Sequence, residues 1–293
     1  MLKMVIDIIL LSLAFVALVA GTITDIRKRE VPDWINFGLI FSGLGLRIVY
    51  SSITSDWMYL IYGLLGFGLF VIIAYTMFYA GQWGGGDSKL LMGLGAVLGI
   101  PLSLNPFPLL FIFVVNALLA GALYGMVYSV VLAHTHKKDF MKNFRKIMHD
   151  KKVMRVRIVA LALSLIFIVM VIVMIKEMMI IWLLVSLIIL AYLSIYLVVF
   201  VKAVEFSAMF KLVEPRQLTE GDWIAKEYSL GKEHLCGPKD LGISKKQIER
   251  LIELKRNGKI DKIKIKEGIP FVPSFLIAYI VTMMFGAWWL FLL

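Results

Sequence analysis

The 293-residue chain contains one cysteine, Cys236. A single thiol excludes an internal disulfide framework and a cysteine-rich zinc site. Histidine is almost as scarce. His134 and His136 form a lone His-x-His pair, and His149 and His234 stand alone. No metal-ligand cluster is legible at these spacings. The chain also lacks a short internal repeat, a low-complexity linker and any clear inverted symmetry between its halves. The last absence counts against a secondary transporter built from inverted repeats. Charged residues make up only 17% of the chain, and they are unevenly spread.

Apolar residues are abundant, at 60% of the chain, with a mean hydropathy of +0.87. Soluble domains contain about 45–50%. Several apolar runs reach the ~20 residues needed to cross ~30 Å of hydrocarbon. The expected fold is an all-α polytopic membrane protein of about eight transmembrane helices. The expected spans are 4–23, 35–50, 58–80, 88–104, 108–134, 158–175, 178–201 and 271–293. Met1–Ile23 is long and apolar with only Lys3 ahead of it, which reads as a retained first span. Arg47, in the short second span, is expected to snorkel to an interface.

The net charge of +11 fixes an expected orientation. With the loop after the first span in the cytoplasm, the cytoplasmic segments are 24–34, 81–89, 135–157 and 202–270. They hold 28 of the 31 Lys and Arg, all but Lys3, Arg47 and Lys176. This asymmetry is the one that cytoplasmic loops carry. Both termini then lie outside. No nucleic-acid-binding module accompanies the charge, so nucleic acid is not an expected partner. Anionic membrane lipids are, particularly for the basic, weakly amphipathic loop 135–157.

The chain divides at this level into a membrane core of five spans (1–134), the basic cytoplasmic loop (135–157), an additional transmembrane hairpin (158–201), a small α+β cytoplasmic subdomain (202–270) and a last transmembrane helix (271–293). In the subdomain, "SKKQIERLIELKRNG" predicts a helix. Ser244 and Gln247 fit a capping box, and Asn257-Gly258 fits the stop. "KIDKIKIKEG" predicts a short strand. A piece of about 65 residues is marginal by itself, so it is expected to lean on the membrane part.

"GQWGGGDSKL" (81–90) is the most distinctive stretch. The spacing from Gly81 to Gly86 suits a phosphate-binding loop, but Asp87-Ser88 stands where Lys-Ser/Thr is required, and a carboxylate repels phosphate. A dinucleotide fingerprint fails at Lys89, with no βαβ pattern around it. Gly84, Gly85 and Gly86 permit positive φ or close approach to a neighbouring helix. Asp87 then falls in the first turn of a helix, where the dipole favours an anion. That alone accounts for it structurally. A second carboxylate, Asp25 in "TDIRKREVPDW" (24–34), closes the first span. An even number of crossings separates the two, so both lie on one face. Ionisable groups at membrane depth are functional candidates. Two carboxylates meeting in a poorly solvated cleft share a proton, and such a pair can perform acid–base hydrolysis.

These motifs resemble the archaeal preflagellin and type IV prepilin peptidases, a branch of the Gly-x-Gly-Asp intramembrane aspartic proteases. Gly84-Gly85-Gly86-Asp87, "TDIRKREVPDW" and the proline-rich "GIPFVPSFLIAY" (268–279) carry the likeness. The resemblance implies that Asp25 and Asp87 are the catalytic pair and that Gly84 and Gly86, with Gly85 between them, shape the approach to Asp87. It implies no cofactor and no metal. It also implies that the substrates are archaellin or type IV pilin precursors, cut at the cytoplasmic membrane face to remove a short basic leader. Nothing supports the N-terminal methylation that bacterial relatives add. The competing reading is a transporter or channel using Asp25 and Asp87 as cation or proton sites.

Other residues carry two readings. Glu30 and Asp33 either attract a basic leader or balance Arg27, Lys28 and Arg29 in a solvated loop. Asn116 is expected to make interhelical hydrogen bonds worth roughly 0.6–2 kcal/mol. Gly95-x-x-x-Gly99 and Gly121-x-x-x-Gly125 suit close helix packing. Trp288 and Trp289 are expected to pack or to mark the outer interface. Asp7 falls near the opposite interface from Asp25, and Cys236 reads as an incidental thiol.

Overall fold

The computed structural model describes residues 1–102, 107–230, 233–240 and 242–292. It is mainly helical, with a small sheet region toward the C-terminus. In chain order the helices are α1 (Leu2–Lys28), α2 (Asp33–Thr54), α3 (Trp57–Tyr79), α4 (Gly85–Leu98), α5 (Leu109–Thr135), α6 (Lys137–Met148), α7 (Lys151–Met174) and α8 (Met178–Val204). A π-helical turn leads into β1 (Phe210–Val213). Then come β2 (Trp223–Ile224), β3 (Tyr228–Leu230), β4 (Glu233–Cys236), α9 (Lys245–Arg256), β5 (Ile263–Lys266) and α10 (Val272–Phe285).

Six helices are long and apolar enough to cross a membrane: α1, α2, α3, α5, α7 and α8. The fourth and eighth expected spans appear as α4 and α10, of 14 residues each. At 1.5 Å per residue each is about 21 Å long, short of ~30 Å of hydrocarbon. The outer ends of those spans, residues 103–104 and 293, lie outside the described residues. α4 is enclosed by its neighbours: Leu90, Leu91 and every residue from Gly93 to Leu98 are buried. It packs against α2 and α3, while α10 packs against α5 and α1. One core joins them, with Leu10 and Leu18 of α1, Phe70 of α3, Leu90 and Leu94 of α4, Phe113 of α5 and Phe275 of α10.

Small residues permit this enclosure. A Cβ on Gly66 would fall on the Gly95 carbonyl, and one on Gly95 would fall on the Gly66 carbonyl. The backbones of α3 and α4 therefore meet directly. The expected packing role of Gly95 and Gly99 holds. Gly121 packs on Phe271, but Gly125 has open space around it, so the second glycine pair is not a packing motif.

Arg47 departs from expectation. It does not snorkel outward; it is 4% exposed. Its Nε donates to the Ala96 carbonyl (2.9 Å), Nη2 to Val97 (2.6 Å) and Nη1 to Tyr59 (2.9 Å). The last carbonyls of α4 lack intrahelical partners. An inward guanidinium supplies them, and Gly63 leaves it the room. Tyr59 lies under the guanidinium and donates to Asp7 Oδ1 (2.5 Å).

The basic segment 135–157 is not a loop. It forms α6 and the opening of α7, with Phe140 packed against Phe144 and edge-on against Phe200 of α8. Asn143 donates to Ser207. Lys138, Lys142, Arg145 and Lys146 face outward. α7 and α8 pack on each other and bury little else, so their apolar faces point outward along their length.

The helix and strand expected in the soluble segment are present as α9 and β5. Ser244 and Gln247 form the capping box. Gly258 takes φ +67 after the Asn257 cap. β5 is the middle strand of an antiparallel sheet of order β1-β5-β2. β3 and β4 form a separate hairpin. The four other strands were not anticipated: each spans two to four residues, too short for alternation to show. A second core under them includes Leu235, Ile243, Leu251, Leu254 and Ile263.

Candidate functional site

Asp25 lies in the last turn of α1, which Arg29 closes in the left-handed conformation at φ 59. The aspartate is only 4% exposed. Its Oδ2 accepts the backbone N–H of Val272 at 3.0 Å. Val272 is the first residue of α10, where N–H groups have no intrahelical partner. Pro273 follows and has no N–H to offer. The Val272 amide is therefore the donor that this helix start presents, and the positive end of its dipole favours an anion there. The Phe271 amide and the Arg29 guanidinium also face the carboxylate. The proline-rich stretch thus has a physical relation to Asp25 that its sequence did not reveal.

Asp87 is the third residue of α4, and Gly84 is the N-cap. Asp87 Oδ2 accepts the Gly84 N–H at 3.2 Å, and Ser88 N–H donates to the Gly84 carbonyl at 3.1 Å. The aspartate therefore does serve its helix start, as its position suggested. It is half-buried, and it also lies close enough to Asp25 for the two carboxylates to repel each other. The two residues, separated by 61 others in sequence, are brought to one place.

The three glycines differ. None has positive φ; that conformation falls to Gly81, at φ +67, where α3 ends. A Cβ at Gly86 would come within 3.1–3.3 Å of the backbone N, Cβ and O of Val31. This close approach seats the start of α4 on the turn between α1 and α2, beside Asp25. At Gly84 and Gly85 a Cβ would make only ordinary contacts, with Asp87 Oδ2 at 3.5 Å and Phe78 at 3.8 Å.

Several neighbours escaped sequence reasoning. Gly21 lies one turn before Asp25, and a Cβ there would meet Leu90, Val272 and Val31 at 3.3–3.6 Å. It marks the junction of α1, α4 and α10. Trp83 packs edge-on against Phe275 (5.4 Å) and tilted against Phe271 (5.7 Å). Tyr124 of α5 is within electrostatic reach of Asp25 and Arg29. Arg29 donates to the Tyr128 hydroxyl at 2.9 Å. Arg29 had looked like one of three loop cations; its left-handed position turns it toward α5 instead.

Asp33 pairs with Lys89 at 2.6 Å on the exposed surface, so its partner is not one of the three basic residues preceding it. Glu30 is exposed and makes no ion pair among the described residues. Asn116 makes the expected interhelical bonds, donating to Thr282 Oγ1 (3.0 Å) and the Gly286 carbonyl (3.1 Å). Trp288 Nε1 donates to its Oδ1 at 3.1 Å, so this tryptophan packs inward. Among the described residues, no three His, Cys, Asp or Glu are gathered in a way that could hold a metal ion. The site can offer two carboxyl groups within electrostatic reach of each other, backbone amides and an aromatic wall.

Residues 12–126 match the model of the type IV leader peptidase family. A preflagellin peptidase of Methanococcus maripaludis is 43% identical over 82 residues, which is 28% of this chain and 35% of that protein. One of Methanococcus voltae is 37% identical over 87 residues, covering 30% of this chain and 37% of the relative. A prepilin peptidase of Methanothermobacter thermautotrophicus is 26% identical over 160 residues, covering 49% and 41% respectively. The chain thus spans little more than a third of the length of the preflagellin peptidases it matches. No solved structure matches it. The matches support the family resemblance carried by the motifs.

Proposed function

We propose, from the match of residues 12–126 to the type IV leader peptidase family, that this chain is a membrane-embedded aspartic endopeptidase. Its reaction is removal of a short basic leader from preflagellin or type IV prepilin-like precursors at the cytoplasmic membrane face. Asp25 and Asp87 are the proposed catalytic pair. The observation that carries this reading is their proximity: a buried carboxylate and a half-buried one from separate helices, near enough to repel, at the junction of α1, α4 and α10.

A pair sharing one proton can hydrolyse a peptide without a metal or a covalent intermediate. The ionised carboxylate takes a proton from water as its oxygen attacks the scissile carbonyl carbon. The protonated partner gives its proton to the carbonyl oxygen. Collapse of the resulting diol breaks the C–N bond, and the departing nitrogen takes up a proton from the pair. The Val272 and Gly84 amides hold one oxygen of each carboxylate, which fixes their orientation. Gly86 sets the close seat of α4, and Gly84 leaves space beside Asp87 for an extended peptide. Glu30, exposed and without an ion pair among the described residues, is the better placed of the two leader-contact candidates; Asp33 already holds Lys89.

The proposed topology counts α4 and α10 with the six long helices, making eight crossings with both termini outside. The distribution of Lys and Arg supports it. Residues 1–134 are then the catalytic core, 158–201 an added hairpin and 202–270 a cytoplasmic subdomain ahead of the last span. The outward basic face of α6 suits anionic headgroups. The transporter or channel reading gains no support from the comparisons.

The test is cleavage of a synthetic precursor in membranes. Asp25→Asn and Asp87→Asn each keep a carbonyl oxygen that can accept the same backbone N–H, so both proteins should insert and fold. Each should lose at least about a hundredfold in cleavage, at the scale of a general acid or base. Wild-type cleavage by either variant sinks the proposal.

A further inference from the structure

The membrane helices do not surround the candidate site alone. The three-stranded sheet outside them leads into the helix start that serves Asp25 and rests on the turn that precedes Asp87. On one side, β5 ends at Lys266, and the Glu267 N–H still bonds the Met209 carbonyl at 2.8 Å. A few residues later Val272 opens α10 and donates to Asp25. On the other side of β5 lies β2, with Trp223 opposite Lys266.

Trp223 and Ile224 point to opposite faces, as successive strand residues must. Ile224 enters the subdomain core and is 3% exposed. Trp223 takes no part in that core. Its indole rim lies against Gly81, so closely that a Cβ on Gly81 would be 3.0 and 3.2 Å from Cη2 and Cζ3. Gly81 starts the turn that leads to Asp87. The inner side of that turn is tied to α3: Gly81 N–H bonds the Phe78 carbonyl (2.9 Å), and Gln82 N–H bonds Met77 (2.9 Å). Trp83 then packs on Phe271 and Phe275, Gly84 caps α4, and Asp87 follows.

We infer that Trp223 is a positioning residue that braces the Gly81–Gly84 turn from outside the membrane core and holds Asp87 opposite Asp25. The subdomain is then part of the catalytic unit, not an appendage to it. The inference rests on the aspartate pair proposed above. A large aromatic side chain directed away from its own core and onto a two-sided turn is the observation behind it. Removing the indole leaves the Ile224 core untouched and frees one side of the turn.

The experiment uses the full chain in detergent or membranes with the synthetic precursor. Trp223→Ala should lower kcat about tenfold or more, because displacements near 1 Å cost up to about a hundredfold. KM should stay within about twofold. Trp223→Phe, which keeps a flat ring on the Gly81 side though it lacks the Cη2 and Cζ3 rim, should restore part of kcat. A general destabilisation lowers apparent kcat only by the fraction of protein it unfolds, so kcat is taken per folded molecule, counted by thermal unfolding under the assay conditions, and such a loss shows no aromatic rescue. If Trp223→Ala does not accumulate, Trp223→Leu takes its place, and the Phe variant should exceed it in kcat. Wild-type kcat in the Ala variant, or equal kcat in Phe and Leu variants, overturns the inference. Asp87→Asn is run beside them. If it is inactive while Trp223→Ala is fully active, the aspartate reading stands and only the brace falls. If Asp87→Asn is active, the aspartate reading itself has failed.

Discussion

Gly86→Ala separates a packing requirement from a merely permissive glycine. The added methyl would come 3.1 Å from Val31 N, 3.2 Å from its Cβ and 3.3 Å from its O. Ordinary contacts begin near 3.4 Å, so something must move by a few tenths of an ångström. The neighbour is backbone, not a flexible side-chain end. Val31 is 6% exposed, its carbonyl accepts from Asn36 Nδ2, and Pro32 follows it. Overpacking of this kind costs about 1–3 kcal/mol. Alanine in place of glycine in a helix returns at most ~1 kcal/mol. The steric cost wins, leaving a net loss of about 0–2 kcal/mol. The functional cost is larger, because the start of α4 is what retreats, and Asp87 moves with it. Cleavage should fall by about tenfold or more. Gly85→Ala is the matched comparison. Its nearest neighbour would be Phe78 at 3.8 Å, so it should be neutral or slightly stabilising and should cleave normally. Both are read by precursor processing and by thermal unfolding in detergent. Wild-type processing by Gly86→Ala, or equal loss in the two variants, would refute the packing argument.

Arg47→Met should orphan the buried carbonyls of Ala96 and Val97 at about 1–3 kcal/mol each, a loss of roughly 2–6 kcal/mol seen as a lower unfolding midpoint; an unchanged midpoint would mean that the guanidinium is dispensable to α4. In the subdomain, His234 lies between Asp240 Oδ2 (3.2 Å) and Glu227 Oε1 (2.8 Å), and these carboxylates hold its pKa above the usual 6.5. A raised folded-state pKa stabilises fully below the unfolded value and loses that contribution as pH rises through the folded one. The wild-type unfolding midpoint should therefore decline from about pH 6.5 upward, and His234→Gln should remove that decline; identical pH profiles would contradict the pairing. Cys236 is fully buried, and burial, aided by Asp240 and Glu227, pushes its thiol up to about 11. Iodoacetamide at pH 8 should label it far more slowly in the folded chain than in denaturant, as mass spectrometry would show, and equal rates would place the thiol at the surface.

Long-period features were legible in the sequence. Twenty-residue apolar runs marked α1, α3, α5, α7 and α8 because the hydrocarbon thickness sets one length for every crossing. The Ser244–Gln247 box was readable because capping is a local affair of four residues. Arg47 was misread because its partners, the carbonyls of α4, lie about fifty residues away. The strands of the subdomain were missed because two to four residues carry no usable period. The glycine run was legible in part: its close approach holds at Gly86, against Val31, while positive φ sits at Gly81 and not in the run, a division that only the assembled helices create.

By itself, then, the sequence determined that this chain has helices long and apolar enough to cross a membrane and that its basic residues are concentrated in a few segments between them, and it led to the expectation that Asp25 and Asp87 end on one side. Hydropathy, charge asymmetry and parity are properties of the chain in order, so they need no contacts. Tertiary structure alone decided that the two carboxylates lie within electrostatic reach of each other. It also decided that α10 offers Asp25 an amide, and that a strand residue from the subdomain rests on the turn before Asp87. Those outcomes depend on which surfaces pack, and packing is settled by shape and unsatisfied backbone groups brought together from distant positions.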